Sequence, residues 1–219
     1  MESNLSWFRS HEHITNGYKG FERFYPILKR GIFLDTAPLF ILICGHYDKL
    51  NNTKIIEKFS ANTKHDPQYK LYDYSYLLAF LNSIDKSKVP LYITPHVFTE
   101  FIKHLTEIVK NPKQFNDILN TSFKSKSYLK DSLHESFCEG FLSEEDFLNK
   151  TLEVGDISII LCAKKGRKEK GAITILTDDC PFALVSCNKH NFITIYYSEI
   201  RTATFQLGKN KIPPDYLLE

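Results

Sequence analysis

The sequence has no CxxC pair, and its five cysteines, Cys44, Cys138, Cys162, Cys180 and Cys187, form an odd and scattered set. That argues against a zinc finger or a secreted disulfide scaffold and for a reducing compartment. Cys44, Cys162 and Cys187 lie in or beside apolar runs and read as small buried hydrophobes. Long hydrophobic runs are missing as well. The longest, Leu39–Cys44, is far short of the roughly 20 apolar residues that cross a bilayer. The N-terminus is polar and carries Glu2, which makes a poor signal peptide. No membrane partner is expected, and the expected location is the cytoplasm. Charge of one sign is lacking too: 28 Lys and Arg against 26 Asp and Glu leave a net charge of +2. No global field draws the chain to nucleic acid, so any such role must rest on a local site. There is no internal repeat and no low-complexity tract.

What is present is the make-up of a globular protein. Of 219 residues, 42% are hydrophobic and 25% charged, enough to bury a core without disulfides or structural metals. Residues 1–28 mix His, aromatic and charged side chains without a period and read as an N-terminal extension packed on the domain. Ile32–Leu34 reads as a buried strand that ends at Asp35 and turns into a helix with Pro38 near its first turn. Residues 48–89 look helical in two pieces broken around Asn62–Pro67, the second carrying Tyr76, Leu77, Phe80, Leu81 and Ile84 at helical spacing. Leu91–Ile93 is a second strand. Thr94-Pro95 then offers an N-cap and an N1 proline for a helix with Val97, Phe98, Phe101, Ile102 and Leu105 on its apolar side.

Signals weaken from Pro112 to Ser143, where helix with a long connection is expected. Ser143–Asp146 resembles a capping box opening another helix. Gly155 interrupts that run, and an apolar helix begun by Asp156 continues to Gly166. Ile173–Leu176 and Ile193–Tyr196 are two further strands, with a short helix over Phe182–Asn188 between them. Short strands apolar on both faces and alternating with helices predict an α/β fold with a parallel sheet covered on two sides. Ligands of such folds bind at the carboxyl ends of the strands.

Three strand ends are acidic. Asp35 closes the first, Glu100 lies between the first and second turns of the helix after the second, and Asp178 and Asp179 follow Thr177 at the end of the third. Asp156 starts the helix leading into that strand. In a parallel sheet Asp35, Glu100 and Asp179 converge on one rim, and Asp156 can reach it. Four carboxylates at such range cannot all stay ionised without compensation. Divalent cations are the simplest remedy, and an all-oxygen set suits Mg²⁺ or Mn²⁺.

The segments FLDTAPL, ITPHVFTEF, GDISIILCAKKG and ILTDDCPF, in that order, resemble the four motifs of the PIN domain over roughly residues 30–200. The resemblance implies a PIN-like three-layer α/β fold, with a central parallel sheet of four or five strands flanked by helices and a single domain spanning residues 29–219. It implies a Mg²⁺- or Mn²⁺-dependent nuclease acting on RNA, in which Asp35, Glu100, Asp156 and Asp179 hold the metal and Thr177 orients a carboxylate or a water. Products would carry a 5′ phosphate and a 3′ hydroxyl. Asp178 is a secondary candidate beside Asp179. The family includes toxins of bacterial toxin–antitoxin modules, so an antitoxin-like protein is a candidate partner, as is a second copy of the chain. Pro181 falls where many relatives carry a further Asp. The alternative is a catalytically silent PIN-fold module that binds RNA or protein.

Each acid also has a structural explanation. Asp35, Asp178 and Asp179 are placed to cap helices, which is the commoner role for any one of them alone. Glu100 lies too deep in its helix to cap, and its neighbours Phe98, Phe101 and Ile102 leave it needing a partner. His96, Glu100 and His104 share a helix face with zinc-ligand chemistry but no HExxH pattern. The basic run Lys164, Lys165, Arg167 and Lys168 is a candidate RNA contact, though a solvated helix C-terminus explains it as well. Lys103, Lys110, Lys113, Lys124, Lys126 and Lys130 make the middle region locally basic with the same ambiguity. Tyr69, Tyr72, Tyr74 and Tyr76 can stack bases or pack in a core. An aspartyl phosphotransfer protein, which also uses strand-end acids, needs an acidic pair that Asp35-Thr36-Ala37 does not supply.

Overall fold

The computed structural model describes residues 30–64, 68–83, 89–123, 129–131, 144–145, 150–171, 173–198 and 200–201. The N-terminal extension, most of the capping-box segment around Ser143, Cys138, Lys124 and Lys126 lie outside the described residues.

Four strands carry the architecture: β1 (Ile32–Leu34), β2 (Leu91–Ile93), β4 (Thr174–Thr177) and β5 (Ile193–Tyr196). A fifth, β3 (Leu129–Asp131), adds to one edge, and all pairings are parallel in the order β3-β2-β1-β4-β5. The expected parallel sheet is therefore present. β3 falls in the stretch expected to be helix and connection, whose three-residue strand carries too little pattern to be read locally. Ile32, Phe33 and Leu34 are buried in succession, because the central strand of a sheet covered on both faces has no polar side.

Seven α-helices flank the sheet among the described residues: α1 (Thr36–Asn51), α2 (Ile55–Asn62), α3 (Leu71–Ser83), α4 (Pro95–Ile108), α5 (Pro112–Asp117), α6 (Val154–Lys170) and α7 (Cys180–Asn188). A π-helical turn, Ile118–Phe123, continues α5. From Thr36 to Gly45 every residue of α1 is buried, which makes it an internal helix rather than a surface one. Phe40 stacks on Phe59 of α2 at 4.1 Å and meets Phe101 of α4 edge-on at 5.5 Å. Gly45 lets α1 approach α3 closely, since a Cβ there would stand 2.4 Å from Cβ of Tyr74.

The break at Asn62–Pro67 lies where expected. A second break, at residues 52–54, divides the expected first piece. Asn52 turns into the left-handed region at φ 51°, and the buried Asp48 carboxylate takes the amides of Ile55 and Ile56 at 2.9 and 3.0 Å. One aspartate so ends α1 and starts α2. α6 begins at Val154, so Gly155 lies in its first turn and does not interrupt a longer helix.

The strand order decides where a ligand can sit. From β1 the chain goes to β2 and β3 on one side, then crosses to β4 and β5 on the other. The reversal falls between β1 and β4, the position at which open parallel sheets leave a crevice at their carboxyl edge.

Candidate metal centre

Each acidic residue reaches that crevice from a different element. Asp35 leaves β1 and caps α1: its Oδ1 accepts from the Thr36 amide at 2.7 Å, while its own amide donates to the Leu176 carbonyl of β4 at 3.0 Å. Asp179 caps α7, with Oδ1 accepting from the Phe182 amide at 2.8 Å. Asp156, in the first turn of α6, accepts from the Glu153 amide through Oδ2 at 3.1 Å. Glu100, on α4, is held through Oε2 by the Thr36 hydroxyl at 2.7 Å, and its Oε1 stands 3.6 Å from Nε2 of His104.

All four carboxylates line one cavity of about 310 Å³, together with Thr36, His104, Glu153 and Asp178. The capping and the convergence are both real. A cap uses one carboxylate oxygen, and Oδ1 of Asp156 and Oδ2 of Asp179 have no hydrogen-bond partner among the described residues. No three acidic, histidine or cysteine groups among the described residues already stand close enough to grip an ion as they are.

The electrostatics register the crowding. Burial pushes the Asp35 carboxyl up to about 7; hydrogen bonds from Thr177 and Thr36 oppose this, and the charges of Glu100 and Asp179 add to it. Burial, and then the charge of Asp35, pushes Asp156 up to about 8. Glu100 is held below its ordinary value, chiefly by the His104 imidazole beside it, and His104 is raised in return. No lysine or arginine lines the cavity among the described residues. A set of oxygen donors with excess negative charge, and no lysine or arginine among them, fits a hard divalent ion.

The candidate residue Thr177 joins the set directly: its hydroxyl donates to Asp35 Oδ2 at 2.5 Å and accepts from the Asp179 amide at 2.9 Å. Asp178 lines the cavity but is spent elsewhere. Its Oδ2 accepts from Tyr69 at 2.5 Å, and its Oδ1 accepts from the amide and hydroxyl of Ser198 at 3.0 and 2.7 Å. Tyr69 and Tyr74 are buried, so they belong to the packing rather than to an exposed stacking surface.

The basic run lies elsewhere. Arg167 stacks over Phe192 and donates to the carbonyls of His190 and Asn191, just before β5, and Lys164 pairs with Glu144 at 2.5 Å. Those groups mark the amino edge of the sheet, opposite the acids. The candidate RNA contacts Lys164, Lys165, Arg167 and Lys168 therefore stand apart from the carboxylates: α6 (Val154–Lys170) delivers Asp156 at one end and the basic run toward the other, about 12–18 Å along its axis.

Sequence reading passed over Thr36 and Glu153, whose positions next to Asp35 and three before Asp156 were the available signals. Comparison with family models, curated proteins and solved structures finds no match. No described helix is long and apolar enough to cross a membrane.

Proposed function

We propose that this chain is a PIN-like, Mg²⁺- or Mn²⁺-dependent nuclease that hydrolyses RNA phosphodiesters. The observation that carries the reading is the meeting of Asp35, Glu100, Asp156 and Asp179, from four separate segments, in one cavity at the sheet's switch point with no lysine or arginine in its described lining. These four residues would hold the ion, which when bound supplies Lewis acidity toward a phosphate oxygen and a lowered pKa for water. The chain's own contribution is positional. Thr177 fixes Asp35 relative to Asp179, Thr36 fixes Glu100, and the helix N-termini of α1 and α7 hold their capping aspartates in place.

The test is cleavage of a single-stranded RNA by the full chain with Mg²⁺ or Mn²⁺, against Asp35→Asn. Divalent-dependent cleavage leaving 5′ phosphates, lost in the variant, supports the reading. Undiminished cleavage by Asp35→Asn sinks the assignment of the site. A second reading, a silent module that binds RNA or protein, draws on one observation: both oxygens of Glu100 are already engaged by Thr36 and His104. RNA binding by the wild type without cleavage under any divalent ion favours it. An antitoxin-like partner is a further proposal, tested by reading the neighbouring gene for a small DNA-binding protein.

A further inference from the structure

A second cavity, of about 700 Å³, opens from the acidic one and shares Glu100, Glu153 and Gly155 with it. One wall is the α4 face carrying His96, Thr99 and Lys103, and the other is the approach to α6, with Lys150, Leu152 and Val154. Its chemistry differs from its neighbour's: two lysines, Lys103 and Lys150, stand in the same lining as the carboxylates Glu100 and Glu153. Lys103 and Lys150 are exposed, and neither forms an ion pair among the described residues. Val154 is 43% exposed, a large apolar side chain left at the mouth. Lys150 sits at φ 55°, in the left-handed region that non-glycine residues seldom adopt. The groove thus offers two lysines, an imidazole, a hydroxyl and an apolar patch, with Glu100 and Glu153 where it adjoins the acidic cavity.

We propose that this groove is the track for a single strand of RNA running away from the carboxylates, with Lys103 and Lys150 holding phosphates on opposite walls and His96 and Val154 facing a base. The substrate class rests on the nuclease reading. The geometry supplies the rest. A cavity of this size takes a ligand of one or two nucleotides rather than a duplex. A cavity dominated by acids repels a polyanion unless cations stand beside it, and among the residues lining the two cavities the only lysines are these two. Reading sequence mostly requires bases out of the stack, which favours a single strand over A-form helix.

The probe is a fluorescently labelled, mixed-sequence single-stranded RNA, its binding followed by anisotropy in Ca²⁺ with the full chain. Lys103→Glu/Lys150→Glu should weaken binding about tenfold or more, and the neutral Lys103→Met/Lys150→Met should reduce the salt-dependence slope by about 1.4, two single-strand contacts' worth. Lys165→Glu/Lys168→Glu, with the same change of charge at the opposite edge of the sheet, should bind within about twofold of wild type. In Mg²⁺ the Met variant should raise KM and leave kcat largely unchanged.

Equal binding by wild type and both Lys103/Lys150 variants, or an equal loss in the Lys165/Lys168 control, overturns the groove. If that happens while the wild type cleaves, the nuclease reading survives it. If the wild type binds through Lys103 and Lys150 without cleaving under Mg²⁺ or Mn²⁺, the nuclease reading fails and the groove stands. A wild type that neither binds nor cleaves the RNA overturns both.

Discussion

The hydroxyl of Thr177 donates a 2.5 Å hydrogen bond to Oδ2 of Asp35, joining the carboxyl ends of β4 and β1 across 142 positions of sequence. Both residues are buried, so the bond compensates one of the most crowded charges in the molecule. Thr177→Val keeps the shape and removes the donor. It should lower stability by about 1.5–3 kcal/mol, the range for a hydrogen bond to a charged group, and depress divalent-dependent cleavage. Thr177→Ser should restore most of both. Thermal melts and cleavage rates on the three proteins check this.

The two raised carboxyls, Asp35 and Asp156, predict a pH dependence of the metal-free protein. Their folded values, about 7 for Asp35 and about 8 for Asp156, lie above the ordinary 3.8. A raised acid favours the protonated folded state, so the stability these groups contribute is fully present below about pH 4 and is lost as pH climbs through 7 to 8. Melting temperature in EDTA should fall from about pH 5 to about pH 9, and Asp156→Asn should flatten that slope. Mg²⁺ or Mn²⁺ should raise the melting temperature more at the alkaline end, where no proton competes for the carboxylates. A wild-type profile that rises across this interval would contradict the burial of the pair.

Adjacent aspartates should separate cleanly by mutation. Asn caps a helix about as well as Asp, so Asp179→Asn should keep most of the stability and lose the thermal response to divalent ions. Asp178 is tied up by Tyr69 and Ser198. Tyr69→Phe, which strips its buried donor, should cost about 1.5–3 kcal/mol and leave the divalent response in place. Melts with and without Mn²⁺ distinguish the two.

Gly45→Ala should destabilise without touching the chemistry. The new methyl would meet Cβ of Tyr74 at 2.4 Å and Cγ at 2.7 Å, contacts that only a shift of α3 against α1 relieves. Overpacking of this kind costs about 1–3 kcal/mol. Chemical denaturation should show the loss, with KM for RNA unchanged at a temperature where the variant is folded.

The helix caps and the carboxylate cavity look like competing explanations residue by residue, and the structure reconciles them. Asp35 and Asp179 cap α1 and α7, and that is what holds them at the sheet edge. Asp48 shows what a cap without a cavity looks like: its carboxylate is consumed by Ile55 and Ile56 and lies on the far end of α1.

Four strands, the Thr94-Pro95 helix start and the four acids were legible in the chain, because apolar runs, caps and prolines are local properties of consecutive residues. The buried reading of Cys44, Cys162 and Cys187 was legible for the same reason, and all three are buried free thiols. The edge strand β3, the break at residues 52–54 and the far placement of Lys164–Lys168 were not. A three-residue edge strand is defined by its partner, the break by Asp48 reaching seven and eight residues forward, and the basic run by which end of α6 meets the crevice. Tertiary structure alone decided that β1 and β4 flank the switch point, that Thr177 meets Asp35, and that Lys103 and Lys150 line one cavity beside the acids. Those are distances between remote segments, fixed by how the sheet closes, and no window of sequence contains them.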